Sequence, residues 1–510
     1  MIYIHVPFCR SFCTYCGFYS EICSRTAPQQ VQNRFFEDYV DALCAEIDAR
    51  RAEISAARCA SAREAASAEV RAAGSRTASD PSQAGLGPSL SRAEGGTSQP
   101  PAAPPSSPAS CTPSAASCTP SPAGPSAPAA PPAAPDTLYI GGGTPSVLPV
   151  EVFARIVRAL GPATYEEFTV EVNPDDVAAG GASYAAALRA LGVTRVSMGV
   201  QSFDDDVLRW MNRRHDAACA REAFRLLRAA GFDNISVDLI FGLSQLSDEL
   251  WERTVAEALA LRPEHISAYQ LSVEPDSALA AMVAGGRYAE ASDEQCRRQY
   301  DVLCRLLAGA GYVHYEVSNW ALPGREAVHN SAYWRRVPYV GLGPAAHSLS
   351  FPYAPVAHAG AYATSDIPTP IAVPASTHAT SVAPTPSFLF TPVVPTGAGN
   401  PPVGASCYGV RSWNTSELAR RDADGRLLRW HAEREVLSER EAAEEAIMLA
   451  LRTARGLPLA QLRALSPAAP VDDLLAAGAL QLLPPSSWIR IPEDHFFVSD
   501  DIIARLFPAG

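Results

Sequence analysis

The sequence predicts an α/β fold: a partial barrel of six parallel strand–helix units, followed by a small helical C-terminal module. Three observations point to it. β-rich runs at 2–6, 137–140, 168–172, 195–200, 234–241 and 265–272 recur about every thirty residues from the second onward. Segments of helical periodicity fill the intervals, at 150–160, 182–191, 217–230 and 250–261; such alternation builds a parallel sheet with helices outside it. Each run is almost continuously apolar, as a strand covered on both faces must be. Six such units make an open barrel, and in barrels the chemistry sits at the C-terminal ends of the strands.

The 510 residues include two tracts with few core-forming side chains. One, about 75–135, is nearly all Ala, Ser, Pro, Gly and Thr; the other, about 355–405, is rich in Pro, Ala and Thr. Neither buries enough apolar surface to offset the entropy of ordering, so both are read as disordered insertions. What remains suits one large α/β domain over 1–350 and a smaller module over 406–510.

The first helix is expected to start near Asn33 and to run into the Ala/Glu/Arg-rich stretch around 50–70. Near the other end, Ser438-Glu439-Arg440-Glu441 offers a capping box for a helix through Ala454. Helical pieces at 459–465 and 471–477 and a strand pair within 480–491 complete a winged-helix-like module. With a net charge of −13 and no Lys/Arg-rich run, that module reads as packing or gating, and general nucleic-acid binding is excluded. No signal peptide precedes the first strand, and no apolar run reaches the ~18–20 residues of a membrane span. A cytoplasmic protein is expected, with any membrane contact peripheral.

Twelve cysteines without an export signal are expected to stay reduced and available to metal. Cys9-x3-Cys13-x2-Cys16 sets three of them within eight residues, directly after the first strand. Thiolate is the usual protein ligand of a [4Fe–4S] cluster, and three thiolates leave one iron open to a chelating small molecule. The competing reading is a structural zinc site with His5 or Cys23 as fourth ligand, although the second CxxC-like knuckle of such sites is missing. Gly141-Gly142-Gly143-Thr144-Pro145 follows the second strand and lets backbone approach a ligand that side chains would block. Glu171, Gln201, Arg213 and Asp238 gather at the same rim. Singly each reads as a satisfied polar group; together they can anchor the amine, ribose or carboxylate of S-adenosylmethionine (SAM).

Tyr3-Ile4-His5-Val6-Pro7-Phe8-Cys9-x3-Cys13-x-Tyr15-Cys16, then GGGTPS, EVNP, SMGVQSF, VDLIFGL and AYQLSVEP, resemble the oxygen-independent coproporphyrinogen III oxidase family of radical SAM proteins. The resemblance covers nearly everything outside the two tracts. It implies a cluster on Cys9, Cys13 and Cys16, and SAM contacts by Tyr3, Tyr15, Gly142, Gly143, Thr144, Glu171, Gln201, Arg213, Asp238 and Ser272. Two features side with the family's HemW-type heme-chaperone branch. The oxidases carry a further cysteine where this chain has Phe18, and an N-terminal extension where this chain begins almost at Tyr3.

His329-Asn330-Ser331-Ala332-Tyr333-Trp334 matches the HNxxYW heme signature of that branch. A neutral imidazole is a common axial ligand of heme iron, and Tyr333 and Trp334 could flank a porphyrin. Read from the residues alone, the same turn is rather a helix with His329 and Tyr333 buried at i, i+4; heme contact by His329 is what the resemblance implies. The resemblance implies a heme chaperone that delivers heme to respiratory-chain hemoproteins at the membrane surface and lacks coproporphyrinogen oxidase activity; a homodimer is left open. The alternative is a radical SAM oxidoreductase acting on coproporphyrinogen III or a related tetrapyrrole.

Overall fold

Six parallel strands stand in chain order at the centre of the main sheet of the computed structural model. They are β1 (Ile2–Val6), β2 (Thr137–Gly142), β3 (Glu167–Val172), β4 (Arg195–Gln201), β5 (Ile235–Phe241) and β6 (His265–Gln270). The structure describes residues 1–23, 29–58, 135–275, 277–351, 409–484 and 487–508. The two low-complexity tracts fall almost wholly on 59–134 and 352–408, outside the described residues. So does the part of the first helix expected beyond 58.

Side chains alternate across a strand, and the sequence of β4 shows what this does. Val196, Met198 and Val200 have no exposed surface and belong to the core under the helices. Arg195, Ser197, Gly199 and Gln201, at the positions between, line the barrel's inner cavity. The barrel thus puts an apolar face outward to its helices and a polar face inward.

Three strands beyond the expected six extend the sheet. β9 (Val340–Leu342) runs parallel to β1 on its free edge, with Tyr3 opposite Gly341. On the other side β8 (Asn319–Ala321) pairs antiparallel with β6, and β7 (Val313–Glu316) with β8. Each has only three or four residues, too few for a strand period to stand out.

The helices follow from their local signals. α1 spans Gln29–Ala49, with further helical residues at 51–58. In α2 (Val150–Leu160), Phe153, Ile156 and Leu160 are buried on one face, and Gly161 at φ 81 ends the helix. α3 (Pro174–Ala190) starts earlier than expected because Pro174 sits at its first turn, and Gly181 at φ 62 kinks it at the point where periodicity becomes legible. α4 (Ala217–Ala229) and α5 (Asp248–Leu261) are capped by Asp216 and Ser247, and α6 (Asp293–Gly309) by Ser292. α7 (Val328–Trp334) carries the heme-signature residues.

After residue 409 the strands Val410–Asn414 and Ala432–Val436 form a second small sheet with His347–Ser350. Ser438 and Glu441 make the expected capping box for α8 (Glu439–Leu451). Short helices at Leu459–Leu465 and Val471–Ala476 and a three-stranded sheet follow. One buried carboxylate ties this region to the barrel. Glu46 of α1 accepts from the Gly343 amide (2.9 Å), Asn414 Nδ2 (2.8 Å) and Trp430 Nε1 (2.8 Å). Among the described residues no helix is long and apolar enough to cross a membrane.

The two flanks of the first tract lie close to each other: Arg58 donates to Leu160 O (3.1 Å), and its charge partly opposes the upward shift that burial gives the Asp136 carboxyl. Deleting about 75–132 is therefore expected to leave the fold intact and to raise its stability by about 1 kcal/mol, the closure entropy of the shortened connection. A thermal melt checks this: a clear drop in Tm would show that the stretch contributes contacts.

Candidate functional site

A cavity of about 740 Å³ opens at the C-terminal ends of the barrel strands. Its wall brings together Cys9, Cys13, Tyr15, Cys16, Gly142, Gly143, Thr144, Glu171, Gln201, Arg213, Asp238 and Ser272. Residues spread over more than 260 positions of sequence thus meet in one place, most of them at strand ends or in the loops that follow.

The cysteine loop leaves β1 and is fastened on both sides. The Glu21 and Cys23 amides donate to the Pro7 and Cys9 carbonyls (both 2.7 Å). Thr14 donates from its hydroxyl to Trp210 O (2.8 Å), and Asn212 Nδ2 to Phe12 O (2.7 Å), docking the loop onto the turn after Trp210. Cys9 Sγ lies 3.3 Å from Thr144 Oγ1, and Arg213 Nη1 donates to Cys13 Sγ at 3.3 Å. Burial pushes the Cys9 thiol up and that of Cys16 up to about 12, with the neighbouring thiols adding to both shifts. Such thiols ionise only against added positive charge, which an iron cluster supplies. Among the described residues no three His, Cys, Asp or Glu side chains converge on a single ion.

The two proposed zinc partners are engaged elsewhere. Both ring nitrogens of His5 are taken, Nδ1 by Tyr3 OH (3.1 Å) and Nε2 by the Tyr19 carbonyl (3.0 Å), and burial lowers its pKa to about 4. Its ring packs against Gly142, at φ 110, where a Cβ would come within 2.7 Å of it. Cys23 is buried outside the cavity wall. At the next position, the Gly143 amide donates to Val6 O (2.8 Å), so a side chain there would strike the Phe8 carbonyl.

The anchoring residues are held in place by one another. Glu171 accepts from Tyr139 OH (2.7 Å) and from the Gly142 amide (3.0 Å); burial nevertheless raises its pKa to about 7. Asp238 accepts from Ser197 (3.2 Å) and Ser236 (3.3 Å), and burial raises it too. Arg213 donates to Asn173 Oδ1 (2.7 Å) and Gly199 O (2.5 Å). Gln201 stands at φ 69, where the β4–β5 register shifts, a backbone state that non-glycine residues adopt at some cost. Gln201 Oε1 and Arg213 Nε are buried with no hydrogen-bond partner among the described residues. Unmet buried polar atoms are uncommon, and a polar small molecule in the cavity would satisfy them. The residues present therefore fit SAM.

Four of the expected site residues stand outside the cavity wall: Tyr3, His329, Tyr333 and Trp334. Tyr3 lies one layer behind, its ring 6.1 Å from that of Tyr139. His329 has no exposed surface. Its Nδ1 meets Thr137 Oγ1 at 2.7 Å and its Nε2 meets Tyr333 OH at 2.9 Å. In this conformation the imidazole is a satisfied core group, the second of the two readings its sequence allowed. Asn330, its neighbour, does face the cavity.

Sequence reasoning passed over Asn173 and Tyr139. Asn173 is the N-cap residue of α3, yet its side chain makes no cap bond. It bridges Arg213 and Thr144 instead, and an unused cap residue at a strand end was the available signal.

The far wall of the cavity holds a titratable group that the resemblance does not mention. Behind Ser318, Glu316 of β7 is fully buried, and burial raises its pKa to about 8 against the opposing pull of Asn319, Ser318 and Arg452. A carboxyl raised in the fold stabilises while protonated, and that contribution is lost as pH rises through the folded value. His5, His215 and His314, lowered to about 4, 3 and 3, act oppositely, but only below their ordinary value of 6.5. Between pH 6.5 and 8 the Glu316 contribution is therefore expected to fall, while the Met1 amino group, lowered by burial to about 6, works against that fall. Glu316→Gln should flatten that fall by on the order of 2 kcal/mol, measured as urea midpoints across the window.

Residues 130–258 match the family model described as Radical SAM superfamily. Over those residues the chain is similar to radical SAM proteins, and the barrel and the cysteine loop agree with that likeness. The chain is 38% identical over 216 residues to the heme chaperone HemW of Bacillus subtilis (strain 168), covering 41% of this chain and 56% of that one. It is 33% identical over 221 residues to radical S-adenosyl methionine domain-containing protein 1, mitochondrial, of Danio rerio, covering 42% and 49%. Over about two fifths of its length the sequence is similar to heme chaperones of the HemW type. The chain spans about half the length of the curated relatives it matches. The solved structure of coproporphyrinogen III oxidase (HemN) from Escherichia coli shares the fold at a TM-score of 0.58 and 16% identity, over 99% of this chain and 89% of that one.

Proposed function

We propose that this protein is a heme-binding chaperone that keeps a radical SAM site. One observation carries the SAM half: the three cysteines, the glycine loop and four polar anchors share a single cavity. In that cavity Cys9, Cys13 and Cys16 would hold a [4Fe–4S] cluster; Gly142, Gly143 and Thr144 would give the ligand close backbone contact, and Glu171, Gln201, Arg213 and Asp238 would bind its charged and ribose groups. Once bound, the cluster and SAM supply reductive cleavage of a sulfonium bond. The chain's own part is to orient the ligand and keep the buried carboxyls satisfied.

The heme half is supported by likeness to heme chaperones, by the HNSAYW turn and by Phe18, which stands half-exposed at the cavity mouth beside Cys16. Coordination by His329 requires α7 to release Thr137 and Tyr333; His347, partly buried and facing Trp413, is the next candidate. Recipient hemoproteins at a membrane surface, a cytoplasmic site of action and a homodimer belong to the same reading.

Heme titration of the anaerobically reconstituted protein, beside an assay of coproporphyrinogen turnover, tests the reading. Stoichiometric heme binding without turnover is expected. Conversion of coproporphyrinogen would replace it with the tetrapyrrole oxidoreductase alternative. Unchanged heme affinity in His329→Ala would move the iron ligand elsewhere.

A further inference from the structure

We propose that Tyr139 is a positioning residue that couples the SAM rim to His329, so that filling the rim holds α7, and the histidine it carries, against β2. The idea rests on the SAM and heme readings just given and adds a link between them.

Tyr139, a side chain of the cavity wall, touches both. Its hydroxyl donates to Glu171 Oε1 at 2.7 Å. Its ring lies 5.1 Å from the His329 ring, tilted by 31°. Two residues back on the same face of β2, Thr137 holds His329 Nδ1. The neighbouring strand β3 repeats the arrangement. Glu167 accepts from the backbone amides of Val328 (2.9 Å) and His329 (3.0 Å), the first turn of α7. Glu171, four residues on and on the same face, holds α7 indirectly through Tyr139.

The coupling assigns α7 a second state beside the one in the structure. Closed, His329 is bonded across to Thr137 through Nδ1 and within its own helix to Tyr333 through Nε2; open, the bond to Thr137 is broken and Nδ1 is released. A ligand shifts such a balance only through a contact that differs between the states. The Tyr139–Glu171 hydrogen bond is that contact. A cationic amine at the rim keeps Glu171 ionised, and a hydroxyl bonds a carboxylate more strongly than a neutral carboxyl. Tyr139 is then held on His329, and α7 stays shut. With the rim empty, burial raises the Glu171 pKa to about 7, so near neutral pH part of the population is the neutral acid and the hold is weaker.

Hydrogen exchange of the 328–334 amides in reconstituted protein, with and without SAM, reads the coupling without heme. SAM is expected to slow that exchange at least threefold in the unaltered chain and to leave it unchanged in Tyr139→Phe. In Thr137→Val, which loosens His329 but spares the Tyr139–Glu171 bond, exchange should be faster overall while the SAM effect persists. SAM binding is followed by equilibrium dialysis on the same samples. Binding without any change in exchange in the unaltered chain overturns the coupling alone, and so does an equal SAM effect in Tyr139→Phe. Absence of SAM binding overturns the rim assignment and the coupling together. Heme titration gives a second readout: SAM should weaken heme affinity at least threefold in the unaltered protein and not in Tyr139→Phe.

Discussion

Replacing Cys9, Cys13 or Cys16 with alanine is expected to abolish iron and sulfide uptake on anaerobic reconstitution, where the unaltered chain takes up about four of each. The three thiols face one cavity, and each has a distinct support: Thr144 beside Cys9, Arg213 beside Cys13, and the loop backbone at Cys16. A cluster already held by three ligands cannot lose one and find a substitute nearby, since His5 is committed at both nitrogens. Cys23→Ala and Cys44→Ala are the controls. Cys23 is buried beside the loop and Cys44 lies on α1, both outside the cavity wall. Iron and sulfide analysis with the visible spectrum decides it. Equal loss from all five changes, or zinc in place of iron, would end the assignment.

Glu46→Ala should be the most damaging substitution away from the cavity. Glu46 is buried, and its two oxygens collect three donors from the later part of the chain besides Arg50 of its own helix. Truncation strands the Trp430 indole N–H and the Gly343 amide; Asn414 keeps a second acceptor in the Gly343 carbonyl (2.7 Å). A buried donor left unmet costs about 1–3 kcal/mol, so a loss of about 3–5 kcal/mol is expected. Trp430→Phe alone should cost less, and the double variant should cost less than the sum of the two. Urea unfolding of the four proteins reads the cycle. Simple additivity would show that Glu46 and Trp430 act independently.

Those two sites differ in how visible they were in the sequence. The cysteine loop, the glycine loop and the rim residues are local patterns at the ends of apolar runs, and the barrel rule says where strand ends meet. Glu46 reads as any glutamate in a helix, because its partners are 297, 368 and 384 residues away. Tyr139 reads as an ordinary aromatic in a strand until β3 is laid beside it. For His329 the sequence supplied two readings, and the hydrogen bond that distinguishes them comes from Thr137, 192 residues earlier. Periodicity exposes what a segment buries; it does not expose which distant donor meets a polar group. β7, β8 and β9 were missed for a different reason, being strands by virtue of the neighbours they complete.

The small second sheet has a consequence for how this chain can vary. Ser350 and Val410 are register partners in an antiparallel pair, so the chain leaves and re-enters the fold at adjacent positions. The two strand ends are therefore held together by their own pairing. A change of length between them, by slippage across repeats or by the hand of an engineer, is expected to leave those ends in place. A fluorescent domain spliced there would report on the protein from a position that the strand pairing already holds together.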